Sequence, residues 1–360
     1  MGIALKDSYG RVLDYVRISV TDRCNYRCLY CMPEEGIEWI PHEEIMTYEE
    51  IRFLVSVLAD LGVKRIRFTG GEPFVRKGFV PFLREIRSSF PSMALAVTTN
   101  GAFLERDARM LGSIGLESLS ISLDTLNDDK FREMTRTGCL QKVLRGIDSA
   151  AALIKDASVK LNTVVMRDFN IDEVPDLVLF AKSKGIILRF IEFMPLDRDV
   201  WMRKQYVPAS EIKSRLPDSS LWSPAAEIEE GKESSSKAPG GPSRYLVNRD
   251  SGQRVGFITA VSDHFCRTCN RLRVTSTGEI RPCLFSNEGV RLIEVLRSRD
   301  AEGVRSGIIS AAMSKPCEGG TGIPRGEDVT PAGEFLDREG LPRREAVCTA
   351  KERHMSRIGG

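Results

Sequence analysis

In several short stretches of this chain, apolar and polar residues alternate one for one. Val16, Ile18 and Val20 alternate with Arg17, Ser19 and Thr21; Ile66 and Phe68 with Arg67 and Thr69; Leu119, Ile121 and Leu123 with Ser120, Ser122 and Asp124; Val159 and Leu161 with Lys160 and Asn162. A period of two marks a strand with one apolar and one polar face. Six strands are expected, over 14–20, 65–69, 95–100, 118–124, 159–166 and 186–193. Most of the gaps between them show helical spacing instead. Thr47 and Glu50 form a capping box ahead of Ile51, Leu54, Val55 and Leu58, and Gly62 closes that helix. Phe79, Phe82, Leu83 and Ile86 mark a second helix, Leu104, Ala108 and Leu111 a third, and 173–183 a further one.

Alternating strands and helices predict βα units and a parallel sheet. Strands buried on both faces are usually continuous apolar runs, so the polar face calls for a reason. A sheet curled into an incomplete, TIM-like (β/α)6 barrel with helices outside would turn that face towards a lumen able to hold a polar ligand. Half-exposed antiparallel strands are the alternative, and the intervening helices count against it. This barrel is expected over 1–216, followed by a Ser/Gly/Pro-rich loop over 217–243. Strand-like runs at 244–248, 255–259 and 271–275 suggest a C-terminal β-rich cap, within a region 244–314 that ends in a helix over 290–313. The polar stretch 315–351 is expected to be disordered, and 352–360 forms a tail.

Composition narrows the function only a little. A net charge of +2 gives no reason to expect a nucleic acid or membrane partner, and no apolar run of about 18 residues is present. The start of the chain, MGIALKDSYG, has neither a signal-peptide core nor transit-peptide character, so a cytoplasmic setting is expected. Six of the nine cysteines fall in two tight groups, which suits thiolate ligation in a reducing compartment better than disulfides. Cys139, Cys317 and Cys348 lack metal-like spacing, and with only three histidines imidazole-based catalysis is not expected.

The candidate chemistry lies in those two groups. Cys24, Cys28 and Cys31 stand in a C-x3-C-x2-C array directly after the first strand. Three thiolates on a [4Fe-4S] cube leave one iron open to a small molecule, whereas structural zinc is closed by four protein ligands. A zinc knuckle completed by a distant ligand is the alternative. The second strand ends in Thr69-Gly70-Gly71-Glu72-Pro73, where a glycine pair lets backbone approach a ligand. Near the other end, Cys266, Cys269 and Cys283 again offer three thiolates, with zinc through His264 as the competing reading. Arg17, Arg67 and Lys160 on the polar faces, with Arg271 and Arg273 after Cys269, suit a polyanion. The chain ends in HMSRIGG, and its two glycines form a strand of backbone thin enough to enter a narrow pocket.

Together these residues resemble the GTP 3',8-cyclase family (molybdenum cofactor biosynthesis protein A) of the radical S-adenosylmethionine (SAM) superfamily. The first array with Tyr30, and GGEP, are superfamily features; SDHFCRTCNRLRVTSTGEIRPCLF around the second array and the IGG ending are the family's. The resemblance implies a radical-SAM barrel, two [4Fe-4S] clusters and SAM. It assigns Cys24, Cys28 and Cys31 to the SAM cluster, and Cys266, Cys269 and Cys283 to an auxiliary cluster that binds the guanine. Tyr30, Gly71, Ser122 and Met194 would contact SAM. Arg17, Arg67, Thr98, Lys160, Arg271 and Arg273 would contact GTP, and Gly359 and Gly360 would enter the active site.

The implied reaction turns GTP into (8S)-3',8-cyclo-7,8-dihydroguanosine 5'-triphosphate in molybdenum cofactor biosynthesis. Its implied partners are an electron donor and, downstream, cyclic pyranopterin monophosphate synthase. A homodimer is one assembly open to it. The stretch 315–351 departs from the family, whose members pass more directly to the tail. Rival readings are a radical-SAM peptide maturase, whose cysteine-rich regions typically hold more cysteines, and an iron-sulfur electron carrier, which leaves GGEP and the polar lumen unexplained.

Overall fold

The structure, a computed structural model, describes residues 4–195, 203–229, 241–286 and 288–318. All six expected strands are present: Tyr15–Ser19 (β1), Arg65–Thr69 (β2), Ala94–Thr99 (β3), Ser118–Ser122 (β4), Ser158–Val165 (β5) and Ile187–Glu192 (β6). They pair in sequence order, every pair parallel. The connecting helices are Tyr48–Asp60 (α1), Phe79–Ser89 (α2), Leu104–Gly112 (α3), Asp128–Thr135 (α4), Leu140–Leu153 (α5) and Val174–Ser183 (α6).

Helix α1 shows why sequence and structure agree here. Thr47 Oγ1 accepts from Glu50 N at 3.1 Å while Glu50 Oε2 accepts from Thr47 N at 2.7 Å, so two otherwise orphaned donors are satisfied at the helix start. Gly62, at φ +81°, turns the chain past the helix end into a conformation that favours glycine. Ile51, Leu54, Val55 and Leu58 are fully buried, in one cluster with Val16, Ile18, Ile66 and Phe68 from the apolar faces of β1 and β2. Each such side chain contributes about 1.5–3 kcal/mol of burial. Helices α4 and α5 were not expected from the sequence. Asn127 Oδ1 caps α4 by accepting from Asp129 N and Lys130 N, and Val143, Ile147 and Ala150 give α5 its buried face.

After β6 come two short helices, Ala209–Ser214 (α7) and Ala225–Glu229 (α8), and the strands Trp222–Pro224 (β7), Arg244–Asn248 (β8) and Arg254–Ile258 (β9). Arg271–Val274 (β10), Glu279–Arg281 (β11) and Val290–Arg291 (β12) follow. The strands expected to form a cap extend the barrel sheet itself, at both of its edges. β9 pairs parallel with β6, and β10 pairs parallel with β1, in the register Tyr15↔Arg271 and Arg17↔Arg273. The full order is β12-β11-β10-β1-β2-β3-β4-β5-β6-β9-β8-β7, a 12-stranded open sheet whose central strands are parallel. β10 fits there because Leu272 and Val274 alternate with its arginines as Val16 and Ile18 do on β1, and both are fully buried.

The helix expected over 290–313 is divided. β12 occupies its start, Ile293–Arg297 (α9) follows, and Ala301–Met313 (α10) begins anew. The break falls at Arg299, at φ +57°, and Asp300 Oδ1 caps α10 by accepting from Gly303 N at 2.9 Å. Lys315, expected at the start of the disordered stretch, is 3 % exposed and packed into the body of the fold. The remainder of that stretch, and the tail, lie outside the described residues. No helix among the described residues is long and apolar enough to cross a membrane.

Candidate active site

Because β1 to β6 are parallel, their C-terminal ends lie at one end of the curled sheet. Cys24, Cys28 and Cys31 follow β1 and Gly70-Gly71 follows β2, so both sit at that end. Cys266 and Cys269 instead precede β10, which runs parallel to β1, and Cys283 follows β11, which runs antiparallel to β10. The second cysteine group is therefore at the opposite end. Between them lies one cavity of about 600 Å³, lined by all six of these cysteines and by Arg17, Tyr30, Arg67, Gly71, Thr98, Ser122, Lys160, Met194, Arg271 and Arg273. Every expected site residue that the structure describes thus meets in one lumen. Gly359 and Gly360 lie outside the described residues.

At the first end the cysteine loop is stitched to β2. Gly71 N donates to Thr21 O at 2.8 Å and Glu72 N to Arg23 O at 2.9 Å. A Cβ on Gly70 would lie 2.7 Å from Thr21 O, and one on Gly71 would collide with Arg23 O. The glycine pair is thus required first by the close approach of two backbones, where the sequence suggested approach to a ligand. Glu72 is buried and ties this end to β3, accepting from Phe74 N, Thr99 Oγ1 and Asn100 N. Burial pushes its carboxyl up to about 7 against those three donors. Tyr30 donates from its hydroxyl to Asp124 Oδ2 at 2.8 Å, and burial likewise raises Asp124 to about 6. Two of the thiols here, those of Cys24 and Cys28, are held protonated by their surroundings. Burial, then the charge of Glu72, pushes Cys24 up to about 12, and burial with Cys31 and Cys24 nearby raises Cys28 well above the usual thiol range.

In mid-lumen the polar strand faces gather cations. Arg17, Arg67, Lys160, Arg189 and Arg273 all line the cavity, and each has at least one other of them as a charged neighbour. Burial, then Arg273 and other arginines, pushes Arg17 well below its ordinary value. Burial, then Arg189 and Arg67, brings Lys160 down to about 7, and burial with Arg271 lowers Arg273 to about 10. Desolvated like charges of this kind favour a bound polyanion.

At the second end the thiols meet positive charge. Burial would raise Cys269, but Arg271 and Lys315 bring it to about 7. Lys315 Nζ donates to Arg271 O at 2.9 Å and Pro282 O at 2.7 Å, fastening the segments that carry Cys269 and Cys283. Arg11 donates to Cys266 O at 2.6 Å.

Sequence reasoning missed Arg189 and Lys315. Arg189 carried a signal, since it alternates with the buried Leu188 and Phe190; Lys315, one residue past the C-cap of α10, carried none. No group of three or more His, Cys, Asp or Glu side chains among the described residues is placed to hold a single metal ion. Each cysteine group does offer three soft sulfur donors around an open cavity, which suits an iron-sulfur cluster with one free iron.

The parallel barrel and its first cysteine loop define a radical SAM protein. The family model for the Radical SAM superfamily matches residues 18–181, and that for Molybdenum Cofactor Synthesis C matches 186–319. The structure of SuiB from Streptococcus suis with precursor peptide SuiA is similar in fold, with a TM-score of 0.57 at 14 % identity over 84 % of this chain and 68 % of that one. Relatives named GTP 3',8-cyclase share far more sequence. That of Geobacter sulfurreducens is 45 % identical over 296 residues (82 % of this chain, 88 % of the relative), and that of Thermodesulfovibrio yellowstonii 40 % over 317 residues (87 % and 94 %). That of Sinorhizobium medicae is 38 % identical over 361 aligned positions, 99 % of this chain and 95 % of its own. The chain belongs to the GTP 3',8-cyclase family.

Proposed function

We infer that this protein is an enzyme that cyclises GTP to (8S)-3',8-cyclo-7,8-dihydroguanosine 5'-triphosphate for molybdenum cofactor biosynthesis. One observation carries the reading: two three-thiol groups face each other along one lumen with a set of buried cations between them. When bound, SAM and a [4Fe-4S] cluster on Cys24, Cys28 and Cys31 supply a 5'-deoxyadenosyl radical that can take hydrogen from ribose C3' of GTP. Ser122 at the end of β4, Gly71 and Met194 just past β2 and β6, and Tyr30 in the cysteine loop that follows β1, are the residues to hold SAM. Arg17, Lys160 and Arg273, which line the cavity, would neutralise the triphosphate, with Arg67 and Thr98 beside them. Cys266, Cys269 and Cys283 would hold the second cluster, with Arg271 near its thiols to receive the guanine. A substrate held by its triphosphate and by its guanine has its ribose fixed between the two contacts, shielded from water.

The same reading calls for a one-electron donor, a downstream cyclic pyranopterin monophosphate synthase, a cytoplasmic setting, and entry of Gly359 and Gly360. The test is 5'-deoxyadenosine release by the anaerobically reconstituted, reduced protein with SAM and either GTP, ATP or no nucleotide. Release that rises strongly with GTP alone is expected. Equal release in all three would remove GTP as the substrate.

A further inference from the structure

Arg67 is held in the lumen by five hydrogen bonds to the neighbouring strands. Its Nε donates to the Tyr15 hydroxyl at 2.6 Å, its Nη2 to Ser118 Oγ at 2.7 Å, and its Nη1 to Val97 O, Thr98 Oγ1 and Ser120 Oγ at 3.1, 3.2 and 2.9 Å. All three nitrogens are engaged within the protein. Phosphate recognition by an arginine ordinarily uses a free fork of N–H groups, and here all but one Nη2 N–H of that fork is given to the neighbouring strands.

A hydroxyl that accepts from a guanidinium keeps its own proton to give. Tyr15 and Ser118 both line the cavity, both are buried, and neither has a recorded acceptor for that proton among the described residues. We propose that Tyr15 and Ser118 are binding residues for the nucleotide's phosphates, each donating its hydroxyl proton to a phosphate oxygen, with Arg67, which donates to both hydroxyls, as the residue that aims and polarises them. This rests on the GTP reading above and refines how the substrate is held.

The setting of Tyr15 supports the assignment. Arg17 and Arg67 are charged neighbours of its phenol, as is Arg271 from β10, and the Arg65 guanidinium lies 5.5 Å from the centre of its ring. Burial alone would raise the phenol, yet the charges of Arg67, Arg17 and Arg271 and the Arg67 hydrogen bond bring it to about 8. It is still protonated at neutral pH and is a stronger donor than an ordinary tyrosine. Guanine carbonyl oxygens are the competing acceptors, but the surrounding cations favour a ligand group that bears full negative charge.

The experiment is equilibrium binding of GTP, inorganic tripolyphosphate and guanosine to the anaerobically reconstituted protein, by calorimetry, for the wild type, Tyr15→Phe and Ser118→Ala. Tyr15→Phe keeps the ring under Arg65, and Ser118→Ala carries the same comparison if the phenylalanine variant does not fold. The proposal expects each variant to bind GTP and tripolyphosphate about 10-fold or more weakly, the scale of a hydrogen bond to a charged group, with guanosine affinity unchanged. Equal losses for guanosine and GTP would assign the hydroxyls to the nucleoside and overturn it, as would unchanged GTP affinity. A wild type that binds tripolyphosphate and not GTP would instead remove the GTP reading while leaving the phosphate contacts in place.

Discussion

The two ends of the lumen carry the same number of thiols in opposite electrical surroundings. Cys24 and Cys28 sit in buried positions with Glu72 and Asp124 nearby, and both are pushed away from the thiolate form. Cys269 has Arg271 and Lys315 beside it and is drawn towards the thiolate. Identical ligand sets in different fields give clusters of different electron affinity, because net charge and hydrogen bonds to sulfur tune them. An end poised against negative charge suits the release of an electron to a cationic cofactor. An end rich in cations suits an electron-rich base tethered to phosphates.

The sharpest way to break this contrast is to remove one thiol from each end. Cys28→Ala should abolish SAM cleavage, with 5'-deoxyadenosine falling to background in chromatographic assay. Cys269→Ala should keep the first cluster and some SAM cleavage while the cyclised nucleotide disappears, and its iron content should fall by about half on loss of one of two clusters. Loss of SAM cleavage in both variants to the same degree would mean that the two ends do not divide the work.

A smaller effect is expected between the ends. Arg17→Ala or Arg273→Ala should weaken GTP binding by roughly 10- to 100-fold, the scale of hydrogen bonds to charged groups, with SAM binding nearly unchanged. Calorimetric titration with each ligand separates the two.

Lys160 offers a test by pH. Its folded-state value of about 7 lies below that of an unfolded lysine, so between roughly pH 7 and 10 the unfolded chain keeps a proton that the folded chain has lost. Its contribution to the stability of the ligand-free protein therefore rises with pH across that window. GTP affinity should move the other way and fall above about pH 7, because the anion needs the charged amine. Lys160→Met should weaken both trends, seen in thermal melts and binding curves, and leave the part above about pH 8 that the Tyr15 phenol contributes. An effect on stability, with no change of thiol or cation count at either end, is expected from Tyr30→Phe, which leaves the buried Asp124 without one donor. It should cost about 1–3 kcal/mol of stability in denaturant titration.

Much of this arrangement was legible from alternation alone. Arg17, Arg67 and Lys160 could be placed on a common polar face because period two leaves no other choice once Val16, Ile66 and Val159 go to the other side. The first cysteine array was legible because its three ligands share one short loop. The second was legible as a spacing but not as a place, since only the pairing of β10 with β1 puts it at the far end of the lumen. That pairing joins residues far apart in the chain, and nothing in a local pattern states which strand a strand will meet. Lys315 was hidden for a similar reason: its meaning lies in the carbonyls of Arg271 and Pro282, which the fold brings to it. The glycine pair of the GGEP stretch was read as a ligand contact; its second role, leaving room for the backbone of Thr21, Asp22 and Arg23, was not legible in the sequence.

The partnership of β1 with β10 also sets a timetable. On the ribosome β1 emerges early and can pair with β2 soon afterwards, but its other edge must wait until Val274 has been made. At about 5–20 residues per second that wait is roughly 13–50 s. Throughout it the nascent chain carries an unpaired strand edge with buried-type residues beside it, the kind of surface that chaperones cover and aggregates recruit. A chain cut short before β10 would keep the whole first cysteine loop and still lack the strand that closes one wall of the lumen.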